Sequence, residues 1–350
     1  MDELKRPIRV LVAEDSAVVA RVLVDVLNTD PDIDVVGVAS DGVEAIQMAK
    51  SLKPDLITMD VRMPRMDGLV ATRKIMEEIP TPIIVVSASV NVQDMNITFE
   101  ALRAGALEII EKPRGVGHKD YENVRGRLVR AVKAMSEVKV VRRMTEARLR
   151  RPSRLPRAVM KGKETGRVVL IGSSTGGPAA LEKILTRLPV NFPAPVLVVQ
   201  HIAPGFVGGL AEWLNNASQL NVKIAEGGEK PIAGNVLFAP DGFHTVIDSR
   251  GRISLDDGPP ERGHKPSIDR LFAGAARAWG SRCIGVLLTG MGTDGVMGLG
   301  EIKRGGGAAL VQDESSAVIY GMPREAVAAG VVDKELPVEN LPAEIISLTG

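Results

Sequence analysis

Residues 168–178 read Val168-Val169-Leu170-Ile171-Gly172-Ser173-Ser174-Thr175-Gly176-Gly177-Pro178. Four aliphatic residues make a buried strand, small and hydroxylated residues make a tight turn, and proline suits the first turn of a helix. Strand, turn and helix in so few residues decide the fold class, α/β. A serine in this turn stands at a helix N-terminus, where unpaired N–H groups and the dipole favour developing negative charge. Two other readings compete locally. A phosphate-binding turn would want G-x-G-x-x-G spacing or a Gly-Lys-Ser/Thr, and neither is present. A plain structural turn stays open until the rest of the chain is read.

Downstream, Val196 to Gln200, Cys283 to Leu288 and Ala308 to Gln312 read as further buried strands, with helices such as Ala179 to Leu188 and Ser267 to Trp279 between some of them. Asn235 to Ala239, His244 to Asp248 and Arg252 to Leu255 read as a small antiparallel insertion. His201 follows the second strand, and Thr289-Gly290-Met291-Gly292-Thr293-Asp294-Gly295 follows the third. A serine, a histidine and an aspartate thus each follow the carboxyl end of a separate strand, where a doubly wound sheet builds its site. Histidine can take the serine proton, aspartate can fix its tautomer, and glycines around Met291 free N–H groups for an oxyanion hole. His244 and His264 are rival bases, while His118 lies in the other half of the chain. The histidines have no H-E-x-x-H spacing, which speaks against zinc hydrolysis.

Upstream, residues 125–167 carry 15 Lys or Arg against three Glu, and Pro152 and Pro156 break the helical pattern. This reads as a solvated helix and linker, with a docking surface for an acidic partner as the sharper alternative. Before it, Ile8–Ala13, Ile33–Ala39, Leu56–Asp60, Pro82–Ser87 and Glu108–Glu111 read as strands alternating with helices, a second doubly wound parallel sheet. Glu14, Asp15, Asp60, Ser87 and Lys112 stand at successive strand ends on one edge. Clustered carboxylates repel unless a cation joins them, and oxygen ligands suit Mg²⁺. A carboxylate beside such a cation, with a hydroxyl and an ammonium nearby, can attack phosphorus.

The bulk numbers agree with two domains: 350 residues, 25% charged and 45% hydrophobic. A net charge of +1 and 3% aromatics give no argument for nucleic-acid binding. One cysteine, Cys283, excludes an intrachain disulfide framework and fits a reducing cytoplasm. No signal-peptide pattern and no long apolar run is present, so a cytoplasmic protein with no membrane insertion is expected.

The first ~120 residues resemble the response-regulator receiver, with Met59-Asp60-Val61-Arg62-Met63-Pro64-Arg65-Met66-Asp67-Gly68 carrying the likeness. The resemblance implies Asp60 as acceptor of a phosphoryl group from a histidine kinase. It implies Glu14, Asp15, Asp60 and the Arg62 carbonyl as Mg²⁺ ligands, Ser87 as switch hydroxyl and Lys112 as phosphate partner. Ile109 stands where the family usually has an aromatic residue, and Glu14 where Asp is commoner.

Gly172-Ser173-Ser174-Thr175-Gly176-Gly177, Gln200-His201, Lys265-Pro266-Ser267-Ile268-Asp269 and the Thr289–Gly295 loop resemble motifs of the chemotaxis protein-glutamate methylesterases. The resemblance implies Ser174 as nucleophile, His201 as base, Asp294 as orienting acid and the Met291 N–H as oxyanion donor, with no cofactor for the esterase. Ser173 stands where the family often has Ala, and Ile202-Ala203-Pro204 is one residue longer than its common His-x-Pro. The expected organisation is a flavodoxin-like receiver at 1–124, a basic linker at 125–164 and a Rossmann-like esterase at 165–350. The expected substrates are methylated glutamates and glutamines of chemoreceptors. The enzyme is expected to be a monomer whose receiver covers the catalytic groove until phosphorylated. A response regulator with a DNA-binding or non-catalytic scaffold output is the alternative.

Overall fold

The computed structural model describes residues 6–87, 92–113, 115, 121–138, 140 and 166–350. The chain divides into two compact units, Met1–Pro152 and Ser153–Gly350.

The first unit runs β1 (Ile8–Ala13), α1 (Ala17–Leu27), β2 (Ile33–Ala39), α2 (Gly42–Leu52), β3 (Leu56–Met59), α3 (Gly68–Glu78), β4 (Ile83–Ser87), α4 (Val92–Ala104), β5 (Glu108–Glu111) and α5 (Tyr121–Met135). The strands pair in parallel in the order β2-β1-β3-β4-β5, the flavodoxin-like order. Helix starts follow local capping chemistry. Ser16 accepts from the Val19 N–H, Asp41 from Val43 and Glu44, and Asp67 from Val70. Helix α5 buries Val124, Leu128, Ala131, Val132 and Met135, so Arg125, the expected first linker residue, lies inside a helix of this unit. Most of the expected basic linker, and His118, fall outside the described residues.

The second unit runs β6 (Val168–Ser173), α6 (Gly177–Leu185), β7 (Val196–Gln200), α7 (Val207–Ala217), β8 (Asn221–Ile224), β9 (Asn235–Phe238), β10 (His244–Ile247), β11 (Ile253–Asp256), α8 (Ile268–Trp279), β12 (Cys283–Leu287), α9 (Val296–Arg304), β13 (Ala308–Gln312), α10 (Met322–Ala328), β14 (Lys334–Leu336) and α11 (Leu341–Thr349). Seven of these strands form one sheet in the order β14-β13-β12-β6-β7-β9-β8, with every pairing parallel. β10 and β11 form a separate antiparallel pair.

One expectation is corrected here. Asn235–Phe238 belongs to the main sheet, not to the antiparallel insertion. Val236, Leu237 and Phe238 are all buried, as in a parallel strand covered on both faces, and Val236 pairs with Val196. Only β10 and β11 make up the insertion.

From β6 the chain steps outward through β7, then returns across the sheet to β12 on the other side of β6. The order reverses between β6 and β12, and ligands of open α/β sheets bind outside the carboxyl ends at such a reversal. In the first unit the reversal falls between β1 and β3. The lone cysteine, Cys283, opens β12. It is fully buried, its thiol donates to the Ala275 carbonyl at 3.4 Å, and burial pushes its pKa up to about 12.

Candidate active site

In the first unit, Glu14 and Asp15 follow β1 and Asp60 follows β3. The three offer carboxylate oxygens that lie within 4.8 Å of one another. Glu14 and Asp60 are buried and Asp15 is exposed. Lys112, just after β5, donates to Glu14 at 2.9 Å and lies 3.0 Å from Asp60. Burial, opposed by Lys112, raises the pKa of both Glu14 and Asp60. Burial disfavours the Lys112 charge too, but Glu14 and Asp60 overcome it and raise its pKa. One ammonium among three carboxylates leaves net negative charge. Glu14 Oε2 is buried and lies 2.7 Å from Lys112 Nζ. An all-oxygen donor set of three carboxylates, with a single ammonium among them, fits a hard divalent cation. Ser87 is buried, and its carbonyl accepts from the Lys112 N–H at 2.9 Å, so the two strand ends adjoin. The N–H of Val61 donates to Asp60 at 2.7 Å and that of Arg62 also lowers its pKa. Ile109 is buried in β5 opposite Val85.

In the second unit, β6 and β7 pair with Ser173 opposite Gln200, so Ser174 and His201 come next on adjacent parallel strands. Ser173 is fully buried, and its hydroxyl donates to Gln200 Oε1 at 2.6 Å. The Gln200 amide nitrogen donates to the carbonyls of both Ser174 and His201, each at 2.8 Å. One side chain thus clamps the two backbone segments. Ser174 is half-buried at the turn, and its N–H donates to the Thr289 carbonyl at 3.0 Å. Gly176 caps α6 at φ +77°, a conformation that favours glycine. Gly290 passes so close that an added Cβ would stand 2.6 Å from Ser174 Cβ. The β12 loop reaches the serine only because residue 290 is glycine. The Met291 N–H, next in that loop, has no protein partner among the described residues.

His201 pairs through Nε2 with Asp294 Oδ2 at 2.9 Å. Ionised carboxylate can only accept, so the proton of this bond rides on Nε2 and leaves Nδ1 as the basic nitrogen. Nδ1 is buried and takes no hydrogen bond from any of the described residues, Ser174 included. Asp294 accepts three more bonds, from Ser267 Oγ (2.9 Å), Ile268 N–H (2.8 Å) and Asp269 N–H (3.0 Å). Burial alone would raise its pKa, but His201 and the backbone donors at the start of α8 outweigh it and bring it to about 2.

The rival bases separate cleanly. His244 is fully buried with both ring nitrogens engaged, Nε2 with the Pro259 carbonyl (3.0 Å) and Nδ1 with the Ser267 N–H (3.2 Å). His264 is half-buried and stacks on His201.

A protein-glutamate methylesterase/protein-glutamine glutaminase of Nitrosospira multiformis is 45% identical over 343 residues, 97% of each chain. The chain belongs to this family. A second member, from Myxococcus xanthus, is 46% identical over 97% of each chain. The family model of the CheB methylesterase matches residues 169–345, and that of the response regulator receiver domain matches 10–118. The CheB methylesterase catalytic domain of Thermotoga maritima is 40% identical over 52% of this chain and 98% of its own, with a TM-score of 0.52. The α/β parallel-sheet reading of both units therefore stands beside known relatives of each.

Three features of this methylesterase-family site escape sequence reading. The Gln200 clamp needs the β6–β7 register, which the Gln200-His201 motif does not reveal. Asp241 accepts from the Gly205 N–H at 2.7 Å and ties down the longer loop after His201, with no sequence signal. Asp269 accepts from the Gly298 N–H in α9 at 2.7 Å, a contact between segments far apart in sequence.

Proposed function

We propose that the protein is a phosphorylation-activated serine hydrolase that demethylates glutamate methyl esters, and deamidates glutamines, on chemoreceptors in the cytoplasm. The observation that carries this is the His201–Asp294 pair, whose basic Nδ1 is left without a partner beside the Ser174 turn. Ser174 Oγ attacks the γ-carbonyl of the substrate side chain while His201 Nδ1 takes its proton. Asp294 holds the Nε2 proton and stabilises the imidazolium. The Met291 N–H meets the developing oxyanion. His201 returns the proton to the departing methoxide, methanol leaves, and water attacks the acyl-enzyme by the same route to give the free carboxylate. With glutamine the leaving group is ammonia.

In the first unit, Asp60 accepts a phosphoryl group from a histidine kinase. Glu14, Asp15, Asp60 and the Arg62 carbonyl would hold Mg²⁺, which supplies charge neutralisation for the transferring group. Lys112 pairs with the phosphate, and Ser87 reads its arrival. No helix among the described residues is long and apolar enough to cross a membrane.

The test is methanol release from a methylated receptor fragment, with and without acetyl phosphate and Mg²⁺. Release that rises with phosphodonor and loses that rise in Asp60→Ala supports both halves. Phosphorylation without methanol release leaves the receiver standing and defeats the esterase reading.

A further inference from the structure

The ring of His264 lies face to face with that of His201, with centroids 4.1 Å apart and planes within 4°. Its setting is rigid. Glu261 and His264 exchange both backbone hydrogen bonds, at 3.0 and 2.9 Å. Between them Arg262 and Gly263 take left-handed φ values of 50° and 86°, a two-residue hairpin turn. Beyond the turn, Lys265 binds the Asp257 carboxylate (2.7 Å) and carbonyl (3.1 Å), and Ser267 caps α8 while donating to Asp294. One short segment, 261–267, therefore sets a flat ring against the base and a hydroxyl against its carboxylate.

The base needs such a device. Among the described residues, His201 is held by a single ring hydrogen bond, through Nε2. A single bond fixes a point and not a plane, and the terminal torsion of histidine is soft. A parallel ring at 4.1 Å removes the remaining rotation. The titratable groups that face His264 are His201 and Asp294. On its own segment Glu261 turns toward Arg270, Arg262 toward Met297 and Lys265 toward Asp257. Burial and the His201 charge hold the His264 pKa below the ordinary imidazole value, against the pull of Asp294. Both influences disfavour a second cation against His201 as it becomes an imidazolium.

We propose that His264 is a positioning residue for the hydrolysis, fixing by its stack the ring plane of His201 so that Nδ1 stays directed at the serine. This rests on the reading of His201 as the base.

The experiment uses the full chain with acetyl phosphate and Mg²⁺, and measures kcat and KM of methanol release for His264→Ala, His264→Leu, His264→Phe and His201→Ala. Leucine fills the volume without a flat face, and phenylalanine restores the face without a titrating nitrogen. His264→Ala and His264→Leu should lose about 10- to 100-fold in kcat with KM within about twofold, and His264→Phe should recover most of it. Wild-type kcat in His264→Leu, an equal loss in His264→Phe, or a loss confined to KM would overturn the proposal. If the alanine variant fails to fold, the leucine and phenylalanine variants decide. His201→Ala should be inactive. Activity there defeats the base assignment itself, whatever the His264 series shows.

Discussion

Asp294 and Asp269 each serve the other's helix. Asp294, just ahead of α9, accepts from the N–H groups of Ile268 and Asp269 that open α8. Asp269, in the first turn of α8, accepts from the Gly298 N–H in the first turn of α9. Neither α9 nor its glycine cap at Gly295 has a side-chain cap of its own. The crossed bonds satisfy amide donors at both helix starts and set the carboxylate that holds His201.

This crossing has a pH signature. Asp269 is 5% exposed, one of its oxygens is unpartnered, and burial, aided by the charge of Asp294, raises its pKa from 3.8 to about 6. A raised carboxyl pKa contributes stability that is full below 3.8 and lost as pH rises through about 6. The loss is about 3 kcal/mol. Asp294, lowered to about 2, acts oppositely, with a contribution present above 3.8 and lost as pH falls through about 2. Asp269→Asn should therefore gain on the wild type by up to about 3 kcal/mol between pH 4 and pH 7. Both tryptophans, Trp213 and Trp279, lie in the second unit, so urea curves read by their fluorescence report that unit. Parallel pH dependences for the two proteins would refute the raised pKa.

The two adjacent serines should behave differently. Ser174→Ala should abolish methanol release while leaving Asp60 phosphorylation intact. Ser173→Ala removes a buried donor to Gln200 and should cost about 1 kcal/mol of stability with most activity kept. A dead Ser173→Ala beside an active Ser174→Ala would reverse the assignment of the nucleophile.

Gln200→Leu should strand the carbonyls of Ser174 and His201 and the hydroxyl of Ser173. A stability loss of about 1–3 kcal/mol and a kcat loss of about tenfold or more are expected. A receptor KM that rises while kcat holds would place Gln200 in substrate binding instead.

In the receiver, Lys112 occupies carboxylate oxygens that a divalent cation would share. Lys112→Ala should bind Mg²⁺ more tightly yet lose activation by acetyl phosphate. Glu14→Gln should bind it about tenfold more weakly. Calorimetric titration with Mg²⁺ reads both, and unchanged affinities would remove Glu14 from the ligand set.

Local patterning carried the sequence reading far where side chains alternate or cluster by element. The five receiver strands and the strand-end positions of Ser174, His201 and Asp294 follow from aliphatic runs that stop at polar residues. β8 and β14 read Asn-Val-Lys-Ile and Lys-Glu-Leu, too polar and too short to stand out. β9 is as short as the two strands that follow it in sequence, and only pairing with β7 reveals its parallel direction. The stack of His264 on His201 and the crossed bonds of Asp269 and Asp294 join segments that meet only after the sheet has formed. No local pattern encodes them.

The burial of Cys283 has a practical consequence. Its thiol is sealed in β12 with a pKa of about 12, so maleimides at neutral pH should leave it untouched while the protein is folded. The natural chain is thus already a cysteine-free surface. One cysteine introduced on each unit could carry a fluorophore pair, and energy transfer before and after phosphodonor would report the distance between the units in solution.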